Sequence, residues 1–279
     1  IVQDLGVADY ILQRIPEMPL HASTQMTICS PSGAIWAKEH GFSRVVVARE
    51  MTRSEIQAVC AIGLEVEQFV HGALCMCISG QCYLSALIGA RSANRGCCAQ
   101  ACRLPFTAAK NPQAAALSLK DLCLLPHYQQ LCADGIASLK IEGRMKRPEY
   151  VAVVTKAYRA AIDGRRVTEN DMQQLEAVFS RQGFTQGYYE GKTGQSMFGT
   201  RQEPEDNREL FSAARATYES GESPRVPVKF YAMVRAGEPA QLAAQDEDGH
   251  VCKAVGPVPE QALVHSLTAD DLESRLKKT

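Results

Sequence analysis

Arg44-Val45-Val46-Val47, Thr52-Arg53-Ser54-Glu55-Ile56-Gln57-Ala58-Val59-Cys60-Ala61-Ile62 and Leu64-Glu65-Val66-Glu67-Gln68-Phe69-Val70 follow one another over short connections and read as strand, helix, strand. The valine run fits a strand buried on both faces. Thr52 with Glu55 three residues on is a capping-box start, in which side chain and backbone satisfy each other's free donors. Working outward, Ile35 to His40 reads as the end of a helix, and Asp134-Gly135 leads into a strand from Ile136 to Ile141. Short apolar runs alternating with helical patterns over residues 1–145 are the mark of βα units around a parallel sheet.

Further along, Pro148 to Asp163 is expected to be a helix. Pro148 suits the first turn, Glu149 complements the dipole there, Val151, Val154, Tyr158 and Ile162 recur at helical spacing, and Gly164 stands at the C-terminal cap. A second helix starts at Thr168, with Asp171 three residues later and Met172, Leu175, Val178 and Phe179 on one face. Gly183 to Gly199, with Tyr188, Tyr189 and Lys192, reads as an ordered loop. Beyond Glu222 the pattern changes: Val226 to Val234, Ala240 to Gln245 and Val251 to Val255 read as strands, with Asp248-Gly249 as a hairpin turn. The expected division is residues 1–147, a helical extension over 148–222, and a small β domain over 223–279.

The chain has 279 residues, 46% hydrophobic and 22% charged, with a formal net charge of −1 and a pI near 6.7. No apolar run approaches the roughly 20 residues of a membrane span, so no membrane is implied. Global charge offers no attraction to nucleic acid, although a local basic patch can act within a neutral total. Eleven cysteines without a signal segment fit a reducing compartment, the cytoplasm, better than a secreted disulfide scaffold. An opening on Ile1 without methionine and a close within a charged helical stretch, Asp270 to Lys278, lead us to expect a fragment, with the β domain cut at its C-terminus.

The chemistry concentrates in Cys75-Met76-Cys77-Ile78-Ser79-Gly80-Gln81-Cys82 and Cys97-Cys98-Ala99-Gln100-Ala101-Cys102. This segment leaves the end of the strand at Val70, the sheet edge at which barrel enzymes place active sites. Structural zinc usually takes cysteine pairs two to four residues apart. Cys75 and Cys82 enclose six residues and the next cysteine, Cys97, lies fifteen further on; this looser arrangement suits a larger iron–sulfur cluster, with zinc and ordinary buried or redox thiols as the competing readings.

Glu67 to Ser85, with Glu67, Phe69, Gly72, Ala73, Cys75, Gly80, Cys82 and Ser85 in place, resembles the signature of peptidase family U32, the collagenase-like proteases. Leu20 to Met26, Val47 to Met51, Lys120 to Cys123 and Ser138 to Lys146 resemble it too, so the likeness covers most of residues 1–200. It implies a (β/α)8 TIM-like barrel that begins several strands before Ile1, truncated here at its N-terminus. It also implies a [4Fe–4S] cluster and hydroxylation of an RNA base or of a quinone precursor, with prephenate as co-substrate in the RNA branch. The implied ligands are Cys75, Cys82, Cys98 and Cys123, with Cys102 in reserve. Cys29, Cys60, Cys77, Cys97, Cys132 and Cys252 are expected to pack as small apolar side chains.

Alternation places Lys140, Glu142 and Arg144 on one side of their strand, where they line a pocket or form a Lys140–Glu142 ion pair at its mouth. Arg144, Lys146 and Arg147 form a basic cluster. His21 and Gln25 follow an apolar strand and offer a proton carrier and an amide. Arg49 and Glu50 follow the valine strand, and His71 precedes the cysteines; all are candidate catalytic groups. The favoured function is an iron–sulfur enzyme oxidising a base in tRNA or rRNA, bound transiently, or a small aromatic. The alternative is a peptidase acting on protein, although neither a His-Glu-x-x-His nor a Gly-x-Ser-x-Gly motif occurs. A third is a non-catalytic RNA-binding role through Tyr188, Tyr189 and Lys192.

Overall fold

The computed structural model describes residues 1–106, 116–144, 146–200, 207–219, 227–262 and 266–276. It divides into units at Ile1–Ser220 and Gly221–Thr279. The boundary read at Glu222, the strand start at Val226, Met145 of the family-like segment and the final lysines lie outside the described residues.

In the first unit, α1 (Leu5–Arg14), β1 (Leu20–Ala22), α2 (Pro31–Glu39), β2 (Phe42–Val46), α3 (Arg53–Cys60) and β3 (Glu65–Gly72) come first. They are followed by α4 (Leu84–Gly89), β4 (Asp121–Cys123), α5 (Tyr128–Ala133) and β5 (Ser138–Ile141). Last come α6 (Pro148–Ile162), α7 (Glu169–Val178), β6 (Phe184–Thr185) and α8 (Arg208–Glu219). β1, β2, β3 and β5 pair in that order, all parallel, with α2 packed on β2 and α3 on β3. β4 pairs antiparallel with the far end of β3, and β6 runs parallel to β4. The result is a mixed α/β sheet whose long strands are parallel.

The local signals explain the elements. The Thr52 hydroxyl accepts from the Glu55 amide, and the Glu55 carboxylate accepts from the Thr52 amide at 2.7 Å, closing the capping box of α3. Thr168 and Asp171 do the same for α7. Val45, Val46, Val47, Val66 and Val70 are fully buried. α6 adds Tyr150, Val153, Val154, Ala157, Tyr158 and Ala161 to the same core, and Tyr158 donates its hydroxyl to the Val70 carbonyl at 2.7 Å. This stripe corrects the expected one: Val151 and Ile162 are exposed. The helix is rolled toward its small and aromatic residues, because the Tyr150 and Tyr158 hydroxyls find carbonyl partners on the sheet side. Glu149 pairs with Arg215 of α8 at 2.6 Å.

In the second unit, β7 (Val228–Met233), β8 (Gln241–Asp246) and β9 (Val251–Val255) form an antiparallel sheet, followed by α9 (Ala269–Leu276). The β8–β9 turn runs through Asp248-Gly249, and Asp246 accepts from the His250 amide and ring. These bonds hold Asp246 and His250 together, and Asp248 lies beside them at the same solvent-facing turn. Among the described residues no helix is long and apolar enough to cross a membrane.

Candidate active site: a cysteine-lined cavity

β3 ends at Gly72, whose φ is +106° and whose Cβ, if present, would lie 2.5 Å from the Glu142 carbonyl oxygen. Only glycine permits that approach, and it turns the chain out of the sheet into the cysteine segment. The segment is then tied down from three directions. Glu50 accepts from the amide (2.9 Å) and hydroxyl (2.8 Å) of Ser79, and Thr27 donates to the Ser79 carbonyl at 2.9 Å. A Cβ on Gly80 would meet the Gln25 carbonyl oxygen at 2.6 Å, so loop and Gln25 backbone pack without space between them.

The Arg103 guanidinium completes the frame. It donates to the carbonyls of Leu74 and Leu119 and to the Ser118 hydroxyl, joining the chain before Cys75 to the chain after Cys102. Behind it, the buried Asp121 and Arg181 pair at 2.5 Å, and Arg181 reaches the Gln100 amide oxygen at 3.4 Å. Burial pushes the Asp121 carboxyl up, opposed by the Arg181 guanidinium.

These constraints enclose a cavity of about 490 Å³ lined by Cys75, Cys82, Cys98 and Cys102. Arg49, Arg103, Arg144 and Lys146 also line it, with Glu142 as the one carboxylate among the described residues. Its volume lies in the range of small-molecule sites, roughly 300–1,000 Å³. Burial raises the Cys75 and Cys102 thiols, with Arg49 and Arg103 respectively acting against the rise. The Gln100 amide donates to the Cys98 sulfur at 3.3 Å, and the Ser85 hydroxyl sits 3.9 Å from the same sulfur. Donors aimed at sulfur are the surroundings a thiolate ligand needs.

Cys123 is elsewhere. It is fully buried in β4 opposite His71, and burial pushes its thiol to about 11. The structure therefore brings Cys75, Cys82 and Cys98 together with Cys102 rather than with Cys123. Cys77 stands beside Cys82, with its thiol pushed to about 11 chiefly by burial. Of the other cysteines, Cys60 packs half-buried against the core as expected, whereas Cys29, Cys97, Cys132 and Cys252 are exposed, since each lies in a loop or on the solvent side of its element.

Of the polar candidates, Gln25, Arg49, Glu142 and Arg144 line the cavity, whereas His21, Glu50, His71 and Lys140 do not. Arg49 lies over the Phe69 ring at 4.0 Å and faces Glu142 at 4.0 Å. The Gln25 amide oxygen is buried without a partner among the described residues. Lys140 does not pair with Glu142. It stands opposite Phe69 in the β3–β5 register, so its amine reaches Glu67 on the neighbouring strand at 2.6 Å, beside Arg44. His21 faces Arg44 and Glu67, and burial followed by the Arg44 charge lowers its pKa. Tyr189 is buried against His127, which removes it from any RNA-contacting surface; Tyr188 is half-buried and Lys192 exposed. Arg103, Asp121 and Arg181 were not anticipated. Arg103 follows Cys102 directly, and that adjacency was the available signal.

His71 is 1% exposed among Tyr150, Tyr158 and Phe184, and neither ring nitrogen has a partner among the described residues. Burial, with Lys146 adding to it, lowers its pKa to about 3. Above pH 6.5 the ring is neutral whether the chain is folded or not. Between pH 6.5 and about 3 only the unfolded chain takes up the proton, so this group makes stability fall by about 1.4 kcal/mol per pH unit. Urea unfolding at pH 7 and pH 5 is expected to show a loss of about 2 kcal/mol that is absent in His71→Leu; equal losses in both proteins would refute the assignment.

A family profile described as Peptidase family U32 matches residues 1–198. The 23S rRNA 5-hydroxycytidine synthase of Escherichia coli is 42% identical over 171 residues, 58% of this chain and 26% of that protein. The tRNA hydroxylation protein P1 of Bacillus subtilis is 34% identical over 221 residues, 71% of this chain and 52% of that protein. A collagenase of Porphyromonas gingivalis is 34% identical over 200 residues, covering 62% and 48%. The chain thus spans between a quarter and about half the length of these relatives. No solved structure matches it.

Proposed function

Because the chain belongs to Peptidase family U32, we propose that it is the cofactor-bearing part of an iron–sulfur enzyme that hydroxylates a base in RNA. The observation that carries the reading is the convergence of four cysteines from two arms of one tied-down loop on a single cationic cavity. The donor set fits a [4Fe–4S] cluster held by Cys75, Cys82, Cys98 and Cys102. Tetrahedral zinc at about 2.3 Å from each sulfur needs sulfurs about 3.8 Å apart. Among the described residues no three of these sulfurs come within 4.8 Å of one another. A larger group suits them better.

When bound, such a cluster supplies one-electron chemistry. The chain's own residues do the rest. Arg49, Arg144 and Lys146 orient an anionic group, a phosphate or the carboxylate of a co-substrate such as prephenate. The Gln25 amide oxygen accepts from an amino or imino group of the base, which relieves its buried, unpartnered state. Relatives named for rRNA and tRNA hydroxylation support RNA as the substrate, met transiently in the cytoplasm, where thiols stay reduced. β1, β2, β3 and β5, parallel and in chain order, support reading the sheet as an arc of a (β/α)8 barrel.

The peptidase reading is weaker. A cysteine nucleophile needs a histidine within hydrogen-bond reach, and among the described residues no histidine lines the cavity. Anaerobic purification, with iron and sulfide analysis and electron paramagnetic resonance, tests the proposal. About four irons per chain are expected. A folded, anaerobically reconstituted chain that holds zinc or no metal would sink it and return attention to peptide hydrolysis.

A further inference from the structure

From residue 68 to residue 120 the chain contains no aspartate or glutamate, while Arg91, Arg95, Arg103, Lys110 and Lys120 fall within it. The whole chain carries a formal net charge of −1, so the positive charge of this stretch is local. Arg91 and Arg95 are exposed, and among the described residues neither guanidinium has a side-chain hydrogen bond or ion pair. Arg44, Arg53, Arg165 and Arg215, by contrast, each meet a carboxylate.

Both arginines lie next to residues that line the cavity: the Arg91 amide donates to the carbonyl of the lining residue Ser85 at 3.2 Å. Arg95 lies between Asn94 and Gly96, which both line it, and Arg144 donates to the Gly96 carbonyl at 2.7 Å. On the other arm Tyr83, 64% exposed, lies between the lining residues Cys82 and Leu84, and Leu87 beyond it is 82% exposed. A free aromatic ring, an apolar turn and unneutralised guanidiniums thus share one rim.

We propose that Tyr83, Arg91 and Arg95 form a docking rim for an unpaired stretch of RNA, with Tyr83 stacking one base and the arginines holding flanking phosphates. This rests on the RNA reading above and adds where the strand lies. Charge complementarity selects a polyanion, and the exposed ring selects one with free base faces. A duplex keeps its bases stacked inside and would have to extrude one before it reached the recess. A small anionic substrate alone would be served by the cations within the cavity and would need no ring outside it.

The test is equilibrium binding of a fluorescent oligouridylate of about ten nucleotides to the complete chain, between about 50 and 200 mM salt. Proteins compared are the wild type, Arg91→Ala/Arg95→Ala, Tyr83→Ala, and a charge-matched control, Lys156→Ala/Arg166→Ala, on the exposed surface of another part of the unit. Each phosphate contact on a single strand contributes about 0.7 to the slope of log affinity on log salt. The rim double variant is therefore expected to be shallower by about 1.4, with the control unchanged. Tyr83→Ala is expected to bind about fivefold or more weakly with its slope retained. A rim variant with the wild-type slope, a wild type that does not bind, or a duplex of equal length bound as tightly as the single strand would overturn the proposal. Binding is read without turnover, so a chain that fails to hold iron but shows the slope change retains the rim and loses only the cluster.

Discussion

Cys102→Ala is expected to strip the chain of iron, and Cys123→Ala to leave its iron content and spectrum close to wild type. The contrast follows from placement. Cys102 shares the cavity with Cys75, Cys82 and Cys98, whereas Cys123 is sealed beneath β3, with Tyr158 alongside. Loss of one ligand from a four-cysteine site is expected to lower iron from about four per chain to well below one after aerobic handling, as in Cys75→Ala or Cys82→Ala. Cys123→Ala removes a buried sulfur and is expected to cost on the order of 1 kcal/mol of stability through the small cavity it leaves. Iron analysis of anaerobically purified variants, checked for folding by circular dichroism, reads both outcomes. Iron retained by Cys102→Ala and lost by Cys123→Ala would move the fourth ligand to β4 and require the cysteine loop to close onto the sheet.

Arg181→Met is expected to be the most destabilising single change behind the site. Its partner Asp121 is 1% exposed, and one carboxylate oxygen already lacks a hydrogen bond among the described residues. Removing the guanidinium leaves that buried carboxylate without its direct partner, which costs about 3–5 kcal/mol for a broken buried pair. For a unit of this size the expected fall in melting temperature is roughly 10 °C. Asp121→Asn/Arg181→Met, which removes the stranded charge, is expected to recover at least half of that loss. A single variant within 1 kcal/mol of wild type, or a double variant no more stable than the single, would show that the pair is not an energetic support of the loop.

What could be read in the chain beforehand was what short-range physics governs. The capping boxes at Thr52 and Thr168, the start at Pro148, the valine strand, the Asp248-Gly249 turn and the likeness around Cys75 and Cys82 depend on residues a few positions apart. They are present in the folded structure at those places. The clustering of cysteines after β3 also pointed to the end of that strand, beside which the cavity lies.

Tertiary structure decided everything that depends on which distant segments meet. Lys140 pairs with Glu67 because β5 lies beside β3, and the register setting Lys140 opposite Phe69 is not written near either residue. The face of α6 was settled by two tyrosine hydroxyls reaching carbonyls on the sheet side, which hydrophobic spacing alone does not encode. Cys102 joined the cavity and Cys123 did not, since β4 folds back antiparallel against His71 and buries its cysteine. Arg103, Asp121 and Arg181 gained their roles only when segments about sixty residues apart closed into one frame. Local sequence therefore determined the elements and the concentration of thiols after β3. Which of those thiols share the cavity, and its cationic surroundings, were selected by long-range packing, because the energy of a buried charge or thiol is set by its neighbours in space.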